Sequence, residues 1–212
     1  MVRGMDALPS PPASTEPSAC AQWAWALIQH RQTILPKRLG EPGPDERQLE
    51  MILQAAAAAP DHGELLPWRF VLVPAASRAR LAEEFAAALL ERDPAAAQEQ
   101  VARAREKAFR APVLMLAVVR IGPAGDDVPP PERLVSAGCA IQNMLLMATA
   151  QGFGSALTSG KALQASGLRA LFGLADHEQA LCFVSIGTAV KRKPGRQRPE
   201  PSQFVSTLSP EP

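Results

Sequence analysis

The pair with the plainest chemical potential is Asp61-His62, directly before Gly63. An acid beside a base that titrates near neutrality could move protons. Helix-end capping and loop polarity account for the pair as well, since adjacent side chains in extended backbone point apart. The serines lack a nucleophile-elbow motif, so hydrolysis is a minor hypothesis. A second feature is the basic run Lys191, Arg192, Lys193, Arg196 and Arg198, which includes Pro194 and Gly195. A solvated loop is its default reading. Two or three such cations suffice for a phosphate monoester, whereas nucleic acid would want further basic or aromatic surface. A phosphate-bearing cofactor fits better, and Arg196 and Arg198 rank above Lys191 because guanidinium offers paired donors to phosphate oxygens. Gly152-Phe153-Gly154 reads more readily as a helix stop and tight turn than as a nucleotide loop. Neither a Gly-x-Gly-x-x-Gly after a strand nor a Gly-Lys-Ser/Thr loop is present. His30, His62 and His177 form no metal-type cluster with cysteine, so no metal site is expected.

These residues need a scaffold, and the composition allows one. The 212 residues fit one domain, and 47% hydrophobic content is enough for a substantial core. Lys+Arg 22 against Asp+Glu 21 leaves +1, too little to steer the chain to nucleic acid or an anionic membrane. No apolar run reaches membrane-spanning length and the first residues lack a secretory apolar block, so a soluble, cytoplasmic protein is expected. Residues 1–18 carry Pro9, Pro11, Pro12 and Pro17 and read as a flexible tail before one domain at 19–212. Cys20, Cys139 and Cys182 are expected to be reduced, packed thiols.

Ser18 can cap a helix ending near Arg31, with Trp23, Trp25, Leu27 and Ile28 as its apolar surface. Asp45 can cap a second helix that Pro60 stops. Strands are expected at 69–74, 113–120, 155–159 and 181–188, helices at 77–92, 95–109, 132–151 and 164–172, and a last extended piece at 203–207. The 132–151 helix is apolar on more than one face and must be buried centrally or at a subunit contact. The order does not alternate as a doubly wound sheet would, and the class is α+β. Trp68, after a proline at a strand start, is expected in the core.

The run Ala59-Pro60-Asp61-His62-Gly63-Glu64-Leu65-Leu66-Pro67-Trp68-Arg69-Phe70 resembles the nitroreductase family of flavoproteins, in particular its small single-domain branch. Phe109-Arg110-Ala111-Pro112, Ser136-Ala137-Gly138-Cys139-Ala140, Ala150-Gln151-Gly152-Phe153-Gly154 and Gly187-Thr188 follow in that branch's order and approximate spacing. The similarity covers about residues 20–207. It implies an α/β sandwich with a central mixed, mainly antiparallel sheet flanked by helices. It further implies an intertwined homodimer holding FMN at the subunit interface, and hydride transfer from NADH or NADPH to a nitroaromatic, quinone or similar small-molecule acceptor. The flavin carries the chemistry, so no catalytic side chain is expected.

The same resemblance implies the cofactor-binding positions. His30, Arg31 and Gln32 stand where the family usually has two arginines and a serine for the phosphate and ribityl chain, and only Arg31 matches. Pro60 and His62 match a loop that reaches the flavin from the other subunit. Ala58 stands where the branch often has an arginine, and Leu157-Thr158 replaces a tryptophan-arginine pair before Ser159-Gly160. Arg196 and Arg198 are expected to help hold the phosphate. These departures leave a second reading, a flavin carrier or redox sensor of the same fold.

Overall fold

Capping side chains set the first two helices. In the computed structural model, which describes residues 18–122, 127–192, 194–195 and 197–209, the Ser18 hydroxyl accepts a hydrogen bond from the Ala21 amide at 3.2 Å and opens α1 (Ala19–His30). Asp45 and Gln48 form a reciprocal capping box, at 2.8 and 3.0 Å, that opens α2 (Glu46–Ala57). The expectation of a flexible tail falls on residues 1–17, outside the described residues, as does Arg196. Between these helices lies a two-residue strand, β1 (Leu39–Gly40), too short to leave a periodic signal.

The remaining elements are β2 (Trp68–Leu72), α3 (Arg78–Arg92), α4 (Gln98–Glu106), β3 (Val113–Arg120), α5 (Pro130–Ala150), β4 (Gly154–Thr158), α6 (Ser166–Leu171) and β5 (Glu178–Ala189). The strands run in the order β1-β5-β3-β2, with β4 also paired to β5, and every strand pair is antiparallel. Among the described residues the one parallel contribution is an isolated bridge between Thr33 and Ser155. The class is thus α+β with a mainly antiparallel sheet, as expected.

Alternation along β3 assigns the two faces. Met115, Ala117 and Val119 pack with Ile52 and Ala56 of α2 and with Ala137, Ala140, Ile141 and Met144 of α5. Leu114, Leu116 and Val118 pack instead with Leu81 of α3, Leu168 of α6 and Phe183. Covered on both faces, β3 is buried from Leu114 to Val119, which is why its sequence is an unbroken apolar run. Each fully buried Leu, Ile or Met contributes about 1.5–3 kcal/mol. Trp68 is 7% exposed within the α2/α5 core, as its position after proline suggested.

Three expectations need correction. The apolar surface of α1 is not packed: Trp23 and Trp25 are 78% and 66% exposed, and α1 buries no residue, because no element among the described residues covers that surface. For the same reason Cys20, in the first turn of α1, is exposed; Cys139 is half-buried and Cys182 buried. The piece at 203–207 is not extended. A short 3-10 turn at Pro201–Gln203, closed by the Gln203 side chain accepting from the Glu200 amide at 3.0 Å, precedes irregular chain with Phe204 and Val205 exposed.

Candidate functional site

The open edge of β4 is the centre of the candidate site. β4 pairs on one side with β5, in a register that sets Leu157 opposite Val184 and Thr158 opposite Phe183. Directly paired residues share a sheet face, so Leu157 lies on the α2/α5 face and Thr158 on the α3/α6 face. On the outer edge the Ser155 carbonyl accepts from the Ile34 amide at 2.9 Å. Backbone groups alternate in direction along an antiparallel strand, so Leu157, two residues on, turns its amide and carbonyl to the same edge beyond the segment that covers Ser155. Leu157, Thr158, Ser159 and Gly160 are all exposed there.

The Ile34 contact also holds the end of α1 beside β4. His30 is exposed at the last turn, whereas Arg31 and Gln32 are half-buried. The chain after β5 returns to this point: Arg198 donates from Nη2 to the Gln29 carbonyl at 3.3 Å and to the Arg31 carbonyl at 3.0 Å. Arg192 donates to the Gly152 carbonyl at 3.3 Å. A helix C-terminus carries partial negative charge that would repel a phosphate. Arg198 offsets it where its guanidinium meets the Gln29 and Arg31 carbonyls. The structure thus brings Arg31, Gln32, Arg198 and the β4 end together from three separate parts of the sequence.

Beyond Thr158 the edge opens into a cavity of about 670 Å³, which Thr158, Ser159 and Gly160 line. Leu35 and Lys37 form one wall, α4 another, and Leu114, Phe183 and Ser185 of the sheet the floor. A Cβ built on Gly160 would meet nothing within 4 Å.

Pro60 and His62 are not in this group. They follow α2 on the α2/α5 side of the sheet, where His62 Nδ1 lies 2.6 Å from Glu132 Oε2 in the first turn of α5. The cavity is floored by the α3/α6 face, so within one chain the sheet separates it from His62. Asp61 does not act on its neighbour. Its Oδ2 accepts from the Leu66 amide at 2.7 Å and closes a loop in which Gly63, Glu64 and Leu66 have φ of 71°, 52° and 45°. The acid partner of His62 is therefore Glu132, seventy positions away and beyond the reach of any local motif.

Another residue with no sequence signal is Arg78, 5% exposed at the start of α3. Its guanidinium donates to the carbonyls of Val73 at 2.8 Å, Ala108 at 2.6 Å, Ala111 at 3.2 Å and Pro112 at 3.0 Å. Burial holds its pKa below the usual arginine value. This clamp fixes the Phe109-Arg110-Ala111-Pro112 turn that leads from the α4 wall of the cavity into β3. Among the described residues no group of His, Cys, Asp and Glu could hold a metal ion, and no helix is long and apolar enough to cross a membrane.

Residues 28–188 match the nitroreductase family. A Haemophilus influenzae protein, provisionally named an NAD(P)H nitroreductase, is 37% identical over 156 residues, covering 74% of this chain and 84% of its own. Escherichia coli YdjA, provisionally named likewise, is 35% identical over 186 residues, covering 86% and 98%. Among solved structures, a nitroreductase-like family protein from Bacillus cereus superposes with a TM-score of 0.76 at 18% identity, covering 92% of this chain and 99% of that one. A nitroreductase from Desulfitobacterium hafniense, solved with bound FMN, gives a TM-score of 0.62 at 20% identity, covering 87% and 97%.

Proposed function

Since the chain belongs to the nitroreductase family, we propose that it is an FMN-dependent oxidoreductase moving electrons from NADH or NADPH to nitroaromatic, quinone or similar small acceptors. The observation that carries this reading is the meeting of Arg31, Arg198 and the open β4 edge at one site.

The donor set suits FMN. Arg31 and Arg198 would hold the phosphate, with Gln32 placed for the ribityl hydroxyls. His30, exposed at the helix end, would lie at the margin of that cluster. The edge amide and carbonyl of Leu157 would hydrogen-bond the polar rim of a planar heterocycle, and the Thr158 and Ser159 hydroxyls would add donors. Gly160 leaves space for a ring to approach the backbone. The cavity beyond Thr158, within the range of about 300–1,000 Å³ usual for small-molecule sites, would receive the acceptor beside the flavin. The chemistry FMN supplies when bound is two-electron relay between donor and acceptor, and the protein's part is to orient it and exclude water.

A homodimer belongs to the same reading. Trp23, Trp25 and Ile28 on α1 and Val135 on α5 are exposed apolar side chains on two helices that contact each other. Large exposed apolar side chains on two neighbouring helices fit an association surface. Pro60 and His62, separated by the sheet from their own chain's cavity, would then serve the partner's flavin.

The test is the visible spectrum of the untreated protein. Yellow protein bleached by NADH or NADPH and recoloured by a quinone is the expected result; colourless protein that FMN cannot reconstitute would sink the proposal. Bound flavin that neither nicotinamide reduces would favour the carrier or sensor reading. Sedimentation at micromolar concentration should show a dimer.

A further inference from the structure

The cavity beyond Thr158 has a charge bias unrelated to the chain's near-neutral total. Among the described residues its lining includes six cations, Lys37, Arg92, Arg103, Lys107, Arg110 and Lys161, and no Asp or Glu. Random placement would line such a cavity with the two signs about equally. Arg103 and Arg110 are offset from outside, by Glu99 and by Glu106, each one helical turn away. Such exposed pairs are weak, about 0.3–0.5 kcal/mol. Lys37, Arg92, Lys107 and Lys161 have no ion-pair partner among the described residues. Beneath the cations, Phe85, Leu89, Leu114 and Phe183 supply an apolar floor.

An apolar floor under a cationic rim is the complement of a flat aromatic body bearing a negative group. We propose that this cavity selects anionic aromatic acceptors, carboxylated or sulfonated nitroarenes and quinones, over their neutral counterparts. The assignment rests on the oxidoreductase reading for the word acceptor, while the anion preference itself rests on the cavity alone. The cations come from four separate segments, the loop after α1, the end of α3, α4 with its following turn, and the loop after β4. A single solvated helix face would not converge in this way.

Binding to the holoenzyme without any nicotinamide separates the two ideas, because no turnover is needed. Calorimetric titration should show 4-nitrobenzoate binding about tenfold more tightly than 4-nitrobenzamide at low salt, with the advantage shrinking as salt screens the rim. The triple variant Lys37→Gln/Lys107→Gln/Lys161→Gln, altering exposed side chains only, should lose most of the preference and keep its affinity for the amide. With NADH or NADPH present, kcat/KM for the two acceptors should follow the same ratio. Equal affinity for the two probes, no measurable binding of either, or an unchanged preference in the triple variant overturns the proposal. So would binding of adenosine diphosphate without the benzoate, which would assign the cavity to the nicotinamide donor. Should the flavin prove unreducible, the binding preference still stands or falls by itself.

Discussion

Glu132 holds the imidazole of His62 at 2.6 Å, joining the turn after α2 to the first turn of α5. Both side chains are well exposed, 66% and 49%, so the pair adds little to stability. Its effect is to fix which ring nitrogen faces outward. Glu132→Ala should leave the melting temperature nearly unchanged yet weaken FMN binding about three- to tenfold, on the order of 1 kcal/mol. Quenching of flavin fluorescence on titration would measure it, and unaltered affinity would remove His62 from the cofactor shell.

Arg31→Ala should weaken FMN retention by about 1–3 kcal/mol if its guanidinium makes a charge-assisted phosphate contact. Because riboflavin lacks the phosphate, its affinity should barely move. A parallel loss for both ligands would show a distorted site instead of a missing phosphate contact.

Gly154 and Gly187, from two of the recurring motifs, face each other across β4 and β5. A Cβ on Gly187 would lie 2.6 Å from Pro112 Cδ and 3.0 Å from the Gly40 carbonyl oxygen, and one on Gly154 would lie 2.9 Å from both Ile34 and Leu39. Backbone and a proline ring yield less readily than Ile and Leu side chains. Gly187→Ala should therefore cost more than Gly154→Ala, each in the range of about 1–3 kcal/mol, or about 2–4 °C of melting temperature per kcal/mol. The reverse order in a thermal melt would contradict this packing.

Arg69 donates to both oxygens of Glu178, at 2.6 and 2.8 Å. That bond, against a smaller opposing effect of burial and aided by the Ala175 amide, holds the Glu178 carboxyl down at about 2 from its ordinary 4.5. A depressed acid pKa stabilises the fold fully above the unfolded value and loses that contribution as pH falls from 4.5 towards 2. Wild type should exceed Glu178→Gln by about 2 kcal/mol at pH 7, and urea denaturation should show the gap closing through that acid window. A gap constant with pH would refute the linkage.

Removing Arg78 would leave four carbonyls without their donor. Arg78→Ala should destabilise the protein by about 3 kcal/mol, and Arg78→Lys, with one ammonium for four acceptors, should recover only part of it. Chemical denaturation of both variants checks the order.

Much of this scaffold is legible in one dimension because its causes are local. Ser18 and Asp45 announce helix starts, Pro60 a stop, and the doubly covered β3 an apolar run, all through interactions within a few residues. The motifs around Pro60-Asp61-His62 and Gly152-Phe153-Gly154 likewise carry family membership without any coordinates. Exposure of the α1 tryptophans was not legible, since periodicity reports an apolar surface but not whether the chain has anything to cover it. Nor were the partners of His62 and Arg78, or which of the two cores each face of β4 meets. Those depend on which distant segments the antiparallel register brings side by side, and contacts across scores of residues leave no spacing to read. The convergence of six cations from four segments on one cavity is of that kind: composition records near-neutrality, and only folding concentrates one sign of charge in one place.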